Sequence, residues 1–314
     1  MKSKNASDNV LIQTGTLLGL QYKVQAFLGE GSFGKVAKCV DTVTNEELAI
    51  KITKDNPFFN KQALKEAGTI EILKRLQILD HDMCHLVRWD GSFLHQSFIC
   101  LRFELLDLSL FHYMQQRNFQ PLIMAEIRPL LRQLTTSLLH LDSLGIIHAD
   151  LKPENIMIVD CGQQPLQVKI IDFGLACHSS DAALGTCVQT LCFRAPEVML
   201  GLVYAQPIDM WSLGLVAAEL ALGRPAFPAA NDHEQTPDEF PPRYEYKFKD
   251  TRGFRSLNDL ERKLYYRNKA DRNEVQQLVD LLQKMLEVDQ NERILPVKAL
   301  EHPFFSVQQE IICV

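Results

Sequence analysis

The chain is organised around one short stretch, Ile147-His148-Ala149-Asp150-Leu151-Lys152-Pro153-Glu154-Asn155. Asp150 can accept a proton from an attacking hydroxyl, Lys152 can hold a phosphoryl oxygen, and Asn155 can ligate a divalent metal. Phosphoryl transfer needs these groups, because its transition state is a charge that must be held in position. Such a motif can arise by chance, so the inference depends on whether the other parts occur in order.

Length and composition indicate an ordinary globular chain of one large domain or two fused lobes. It has 314 residues, of which 46% are hydrophobic and 23% are charged. The net charge of -6 argues against direct nucleic-acid binding, and no apolar run reaches the roughly 18 residues of a membrane span. We see no signal peptide and no CxxC pairs among the eight cysteines, so we expect reduced thiols in the nucleus, the cytoplasm or both.

A glycine-rich run lies between two expected strands near the N-terminus. It reads Gly29-Glu30-Gly31-Ser32-Phe33-Gly34-Lys35-Val36. Glycines let backbone N–H groups approach phosphates closely. A dinucleotide-binding fingerprint would place a helix after the glycines, whereas a second strand follows here. A phosphate cradle and a plain glycine-rich hairpin both fit this pattern.

A third strand, residues 47–52, carries Lys51 in an apolar run, where a lysine is costly without an anionic partner. A helix is expected to follow Pro57, from about Lys61 to Leu79, with an apolar stripe of Ile70, Leu73 and Leu76. On a helical wheel Glu66 falls inside this stripe. The pattern therefore predicts a Lys51–Glu66 ion pair, and an exposed Glu66 on a rotated helix is the alternative.

The rest of the chain predicts a mainly helical half that begins at Asp107–Ser109. Helices are expected over residues 123–144, 207–222, 273–286 and 296–300, with short strands at 156–159 and 168–171 and a loop over 226–256. Asp172-Phe173-Gly174 follows the second short strand, so Asp172 and Asn155 would form an oxygen-ligand pair suited to Mg²⁺. Asp209 lies inside an apolar helix, and backbone amides of the Asp150 loop are its candidate partners.

The ordered set of motifs resembles that of the eukaryotic protein kinases, from about residue 20 to 306. The motifs are GEGSFGKV, AIK, HADLKPEN, DFG, APE and DMWSLG, and together they are far more specific than any one alone. HADLKPEN, KIIDFG, FRAPEVMLG and PIDMWSLGLVAAEL are similar to the homeodomain-interacting protein kinases, relatives of the dual-specificity tyrosine-regulated kinases.

The resemblance implies an α+β fold of two lobes with ATP in the cleft. The β-rich N-lobe with one main helix would span 21–105, the hinge 104–108 and the larger helical C-lobe 109–306. Residues 1–20 would form a flexible arm and 307–314 a short tail. The partners implied are ATP, Mg²⁺, protein substrates and, by family, transcription regulators. A monomer is expected, without nucleic-acid or membrane binding.

The resemblance also assigns roles. Asp150 would accept the substrate proton with support from Thr190, Lys152 would touch the γ-phosphate, and Asn155 and Asp172 would ligate Mg²⁺. Lys51, paired with Glu66, would hold the α- and β-phosphates, while Glu197 would pair with Arg293. The implied nucleotide-binding set is Leu28, Gly29, Glu30, Gly31, Ser32, Phe33, Gly34, Lys35, Val36, Ala49, Lys51, Phe103, Glu104, Leu106 and Met157. In it, Val36, Ala49 and Met157 would sandwich adenine, Phe103 would be the gatekeeper, and Glu104 and Leu106 would supply hinge hydrogen bonds.

Four departures from the family pattern qualify these roles. Counting back from Ile72 would put Thr69, not Glu66, in the glutamate position. Ala149 replaces an arginine that binds activation-loop phosphate in many kinases. Cys187 replaces an autophosphorylated tyrosine, and Leu191 an arginine, which predicts a weakened preference for proline after the phosphoacceptor. A helix and an insert that the family usually has are also expected to be missing after Pro228.

The sequence therefore predicts a serine/threonine kinase, with dual specificity allowed by family. The alternatives are a nucleotide-binding pseudokinase that acts as a scaffold or decoy and, more distantly, a Rossmann dehydrogenase.

Overall fold

The computed structural model of the protein describes residues 12–31, 34–54, 56–77, 84–182, 185–226, 257–268 and 271–306. The chain divides into two compact units. The smaller contains the residues up to Lys74 together with Val87–Leu105, and the larger contains Arg75–Leu86 and the residues from Leu106 onward.

The smaller unit is built on an antiparallel sheet with strand order β1-β2-β3-β4-β6-β5. The strands are β1 (Leu17–Leu18), β2 (Tyr22–Glu30), β3 (Gly34–Asp41), β4 (Glu47–Thr53), β5 (Trp89–His95) and β6 (Phe98–Glu104). Alternate side chains of β2, β3 and β4 point into a core that includes Val24, Cys39, Ile50 and Cys100. Burial in this core raises the pKa of the Cys39 and Cys100 thiols to about 12.

Helix α1 (Pro57–Gln77) belongs mainly to the smaller unit and begins one turn earlier than the sequence suggested. Asn56 caps it, since its Oδ1 accepts a 2.8 Å hydrogen bond from the Phe58 N–H. Pro57 occupies the first helical position, where its missing N–H costs nothing. The predicted start at about Lys61 was therefore about one turn too late, and the expected end at Leu79 lies outside the described residues.

The larger unit is mainly helical. Its helices are α2 (Leu110–Gln116), α3 (Met124–Ser143), α4 (Pro196–Met199), α5 (Pro207–Leu222), α6 (Leu257–Asn268), α7 (Arg272–Met285), α8 (Pro296–Leu300) and α9 (Pro303–Ser306). Two small antiparallel sheets pair β8 (Ile156–Ile158) with β9 (Val168–Ile170) and β7 (Ile146–Ile147) with β10 (Cys177–His178). Within the described residues, no helix is both long and apolar enough to cross a membrane.

Helix α5 is the central element of the larger unit. Every residue from Ile208 to Leu222 is buried, as expected for a helix that is apolar on all sides. Gly223 ends it with φ of +72°, and a Cβ there would collide with the carbonyl oxygen of Phe119. Proline at the first turn and glycine after the last thus define both ends, and the predicted bounds 207–222 are confirmed.

Two other parts of the larger unit differ from the sequence expectations. Helix α6 was not predicted, although Leu257, Leu260 and Leu264 have helical spacing, because the segment is highly charged. The predicted loop at 226–256, with the helix and insert thought to be missing after Pro228, lies almost entirely outside the described residues.

A buried ion pair braces the larger unit. The Arg293 side chain is 0% exposed, and its Nη1 and Nη2 lie 2.6 Å and 3.0 Å from the two carboxylate oxygens of Glu197. Its Nε donates to the Glu287 carbonyl, and its guanidinium lies 5.2 Å from the Trp211 ring centroid. Arg293 therefore connects the segment between α7 and α8 to α4, through Glu197, and to α5, through Trp211.

Removing one partner of this pair should destabilise the larger unit strongly. Glu197→Ala leaves a buried guanidinium without its carboxylate, and we expect a loss of about 3–5 kcal/mol in the free energy of unfolding, measured by urea titration. Glu197→Met combined with Arg293→Met should cost less than the sum of the two single changes, because no buried charge is left alone. Additive losses would contradict this account.

Candidate active site

In the smaller unit, Lys51 and Glu66 form a closed ion pair. Lys51 lies on β4, between Val36 of β3 and Leu101 of β6. Its Nζ donates to both carboxylate oxygens of Glu66, at 2.8 Å and 2.9 Å, and the two side chains are 12% and 2% exposed. A charge this deeply buried is stable only in such a pair.

The structure also decides which residue of α1 faces Lys51. Glu66 lies on the buried face of the helix with Ile70 and Leu73. Thr69 is half-buried, and its hydroxyl donates to the Lys65 carbonyl one turn earlier. The helical-wheel argument therefore placed Glu66 correctly, and the count that favoured Thr69 did not.

The glycine-rich run connects β2 to β3. The Gly31 N–H donates to the Gly34 carbonyl at 2.8 Å, while Ser32 and Phe33 lie outside the described residues. A Cβ on Gly34 would collide with the Ile52 carbonyl, whereas one on Gly29 or Gly31 would meet nothing within 4 Å. Gly34 is thus required for strand packing, and the space beside Gly29 and Gly31 suits a ligand that approaches the backbone.

The remaining residues of the predicted nucleotide set fall in both units. In the smaller unit, Ala49 pairs with Phe103 across β4 and β6, and Glu30 pairs with Lys35 across β2 and β3. Leu28 lies in β2, and Val36 of β3 pairs with Gly29 and with Lys51. The Glu104 N–H donates to the Arg88 carbonyl, and the Glu104 carboxylate accepts from the Arg88 N–H at 2.6 Å. The Glu104 N–H is therefore already bonded to Arg88, the residue directly before β5. Half-buried Leu106 and Met157 belong to the larger unit.

In the larger unit, four hydrogen-bond donors surround the Asp150 carboxylate. Oδ1 accepts from the Thr190 hydroxyl at 2.7 Å and from the Thr190 N–H at 3.2 Å. Oδ2 lies 2.9 Å from Lys152 Nζ and 3.1 Å from Asn155 Nδ2. Lys152 Nζ also donates to the Thr190 hydroxyl at 2.8 Å. The structure thus brings Asp150, Lys152, Asn155 and Thr190 into one cluster with a fixed carboxylate orientation.

Asp209 of α5 holds the loop that carries Asp150 through two backbone hydrogen bonds. The His148 and Ala149 N–H groups donate to its two oxygens at 2.7 Å and 3.0 Å, which confirms the predicted partners. Burial raises the pKa of Asp209, against the opposing effect of His148 and these two N–H groups. The Asp150 N–H donates to His148 Nδ1 at 3.2 Å, and His148 Nε2 lies 3.0 Å from the Ile171 carbonyl oxygen, so the imidazole connects the Asp150 loop to the residue before Asp172.

Asn155 and Asp172 have the donor chemistry for a magnesium ion. Asn155 Nδ2 donates to the Asp150 carbonyl at 2.8 Å, which leaves the amide oxygen as the group for a cation. The Ile171 N–H donates to the Asn155 carbonyl, so Asp172 follows directly after this contact. In the described part of the chain, no cluster of three or more His, Cys, Asp or Glu side chains could hold a metal. The pair fits an ion that takes further ligands from phosphate.

One residue of this site was missed by sequence reasoning. Gln189 precedes Thr190, is buried, and donates its N–H to the Ala149 carbonyl at 2.9 Å. No local pattern marks it, because its partners are distant in sequence.

Comparison with known proteins identifies the class to which this architecture belongs. The model of the protein kinase domain matches residues 22–305. The chain therefore belongs to the protein kinase family, and its sheet-based smaller unit and helical larger unit are those of the two-lobed α+β kinase fold.

The most similar relatives include the homeodomain-interacting protein kinases. The chain is 38% identical to homeodomain-interacting protein kinase 2 of Mus musculus, over 97% of this chain and 29% of the relative. It is 38% identical to homeodomain-interacting protein kinase 1 of Caenorhabditis elegans, over 92% and 40%, and 38% identical to dual specificity protein kinase YAK1 of Saccharomyces cerevisiae, over 74% and 30%. The chain thus spans less than half the length of these relatives.

A second buried carboxylate lies near the Asp150 loop. Glu219 of α5 is 7% exposed, and its Oε2 has no hydrogen-bond partner. Burial, and then the charge of Glu154, raises its pKa from 4.5 to about 7. The folded protein therefore keeps a proton on Glu219 at pH values where the unfolded chain has released it.

This proton makes stability depend on pH. The proton on buried Glu219 contributes about 3 kcal/mol to the free energy of unfolding. This contribution is fully present below pH 4.5 and is lost as the pH rises through about 7. Glu219→Gln cannot ionise, so its stability relative to wild type should increase between about pH 5 and about pH 8, measured as urea midpoints. Glu301→Gln at an exposed position is the control and should show no such trend. A constant difference for Glu219→Gln would refute the assignment.

Proposed function

We propose that the chain transfers the γ-phosphoryl group of ATP to serine and threonine hydroxyls of protein substrates. The observation that carries this proposal is the Asp150 carboxylate, which Thr190, Lys152 and Asn155 hold in one orientation. A general base must be aimed before the reaction, since positioning is the main contribution that the protein makes to phosphoryl transfer.

The roles of the cluster follow from its donors. Asp150 would accept a hydrogen bond from the substrate hydroxyl and take its proton as the oxygen attacks. Lys152 bonds to both Asp150 and Thr190, and it would place its positive charge beside the transferred phosphoryl group. Thr190 would keep the Asp150 carboxylate from rotating, because its hydroxyl and its N–H both bind Oδ1.

Mg²⁺-ATP supplies the phosphoryl group and the charge compensation in this proposal. Asn155 and Asp172 would hold the metal, and Lys51, oriented by Glu66, would hold the α- and β-phosphates. The glycine-rich run from Leu28 to Val36 would cover the phosphates. Ala49, Met157, Phe103, Glu104 and Leu106 would contact the base.

A nucleotide-binding scaffold without catalysis is the alternative function. It draws support from Cys187 and Leu191, which replace a tyrosine and an arginine of the resembled family, and from the helix expected to be missing after Pro228. The closed Lys51–Glu66 pair counts against it, because an uncertain Glu66 was the main catalytic reason for considering it. The enzyme is therefore the function that the geometry supports better.

Phosphate transfer should depend on Asp172. Wild-type protein incubated with Mg²⁺-ATP should gain phosphate and should phosphorylate a generic protein substrate or a purified homeodomain protein, read by intact-mass spectrometry. Asp172→Asn should lose at least about a hundredfold in rate, because it weakens the metal site while keeping the side-chain shape. ATP binding by wild type without modification of any substrate would favour the scaffold.

The names of the relatives support homeodomain proteins, and with them transcription regulators, as substrates. The nucleus or the cytoplasm as the place of action stays a prediction from the sequence. The homeodomain protein in the preceding experiment tests the first of these proposals. Phosphorylation of the generic substrate alone would count against it.

The bonding of the Gln189 carbonyl affects which substrate residue is preferred directly after the phosphoacceptor. With the substrate hydroxyl at Asp150, the next substrate residue would pass the chain beside Thr190. The Gln189 carbonyl there already accepts from Arg194 Nη2 at 2.7 Å and Nε at 3.2 Å. A substrate N–H would lack this acceptor, whereas proline has no N–H to satisfy. This contact argues against the weakened proline preference expected from Leu191.

We therefore expect a preference for proline at that position. Ser-Pro peptides should exceed matched Ser-Ala peptides by about tenfold in kcat/KM, the value of one lost hydrogen bond in a desolvated site. Arg194→Leu should reduce the ratio, because it releases the Gln189 carbonyl. Equal rates for the two peptides in wild type would show that Leu191 sets the preference instead.

A further inference from the structure

The inference concerns Gln189 and the activation segment, which we define as residues 172–197. Gln189 is 4% exposed, and all of its polar atoms are bonded. Its side-chain Nε2 donates to the Ile208 carbonyl at 2.9 Å and to the Ser212 hydroxyl at 2.8 Å. Its Oε1 accepts from the Ala195 N–H at 2.9 Å. The side chain therefore ties the activation segment to helix α5.

The backbone of Gln189 continues this connection to the Asp150 loop. Its N–H donates to the Ala149 carbonyl, the residue directly before Asp150. The next residue, Thr190, binds Asp150 through both its hydroxyl and its N–H. Gln189 thus lies one residue from the groups that orient the carboxylate, and helix α5 supports both segments, through Asp209 and through Gln189.

Backbone conformation gives an independent reason to regard this connection as a constraint. Gln189 and Ala149 both have positive φ, +66° and +63°. Residues with a side chain adopt this region only where their surroundings impose it. The Gln189 side-chain bonds to α5, the Ala149 N–H bond to Asp209 and the single bond from the Gln189 N–H to the Ala149 carbonyl are the contacts that can impose it here.

We propose that Gln189 is a positioning residue that aligns Asp150 without phosphorylation of the activation segment. Neutral hydrogen bonds from Gln189 to α5 would supply the order that a phosphate bound by arginine supplies in other kinases. The absence of a phosphorylatable group at Cys187 and of an arginine at Ala149 is consistent with this arrangement. The proposal rests on the kinase activity proposed above.

The test makes the same substitution, glutamine to methionine, at two positions of the larger unit. Gln189→Met keeps side-chain length and removes the bonds to α5. Gln133→Met is the matched control, because Gln133 also bonds through both amide atoms, to the Leu166 carbonyl and the Val168 N–H at 2.9 Å each, on another part of the larger unit. Both variants lose comparable polar contacts, but only the first loses contacts of the activation segment.

We expect phosphatase-treated wild type to keep its kcat within about twofold. Gln189→Met should lower kcat by about 10- to 100-fold with the KM for ATP nearly unchanged, as expected from misplacement of a catalytic group, whereas Gln133→Met should keep kcat. Adding Ser212→Ala to Gln189→Met should cost less than Ser212→Ala costs in wild type, since the Gln189–Ser212 bond is already broken and only the bond from Ser212 to the Phe193 carbonyl is lost in addition. Equal kcat values for the two methionine variants, or loss of wild-type activity on phosphatase treatment, would overturn the proposal.

Hydrogen exchange separates this proposal from the proposed function. Amides of residues 148–151 and 188–195 should exchange faster in Gln189→Met than in wild type and Gln133→Met, whether or not any protein substrate is phosphorylated. An inactive wild type with this exchange pattern would reject the proposed phosphoryl transfer and retain the positioning role. Unchanged exchange in Gln189→Met would reject the positioning role itself.

Discussion

The buried carboxylate of Asp209 is the constraint on which the rest of the larger unit depends. A charge inside an apolar helix is tolerated only with good hydrogen-bond donors, and the His148 and Ala149 N–H groups are those donors. Asp150 follows them directly. Any movement of its loop away from α5 would therefore leave a buried charge poorly solvated, which opposes the movement.

Helix α5 also makes polar contacts that hold two other parts of the larger unit in place. Ser212 receives the Gln189 side chain and donates to the Phe193 carbonyl, which holds both ends of the short segment around Thr190. Trp211 lies beside the Arg293 guanidinium, through which α5 is connected to the C-terminal helices. One apolar helix with a few polar positions thus supports the Asp150 loop, the activation segment and the distal part of the unit.

Sequence reasoning succeeded where one local rule determined the result. The Glu66 position followed from its angle on an apolar stripe, and the bounds of α5 followed from a proline and a glycine at its ends. It failed where the decisive partners are distant: Gln189 bonds to Ala149, some 40 residues earlier, and to Ser212. The start of α1 was missed because Asn56 and Pro57 look like a turn until the cap bond is seen.

The two core cysteines of the smaller unit have a chemical consequence. Cys39 and Cys100 are both 0% exposed, and burial raises the pKa of their thiols to about 12, so they react only slowly with alkylating reagents while the sheet is closed. They are also the only cysteines among the described residues of that unit. Their rate of alkylation therefore reports how often the six-stranded sheet opens, independently of any change in the helical unit.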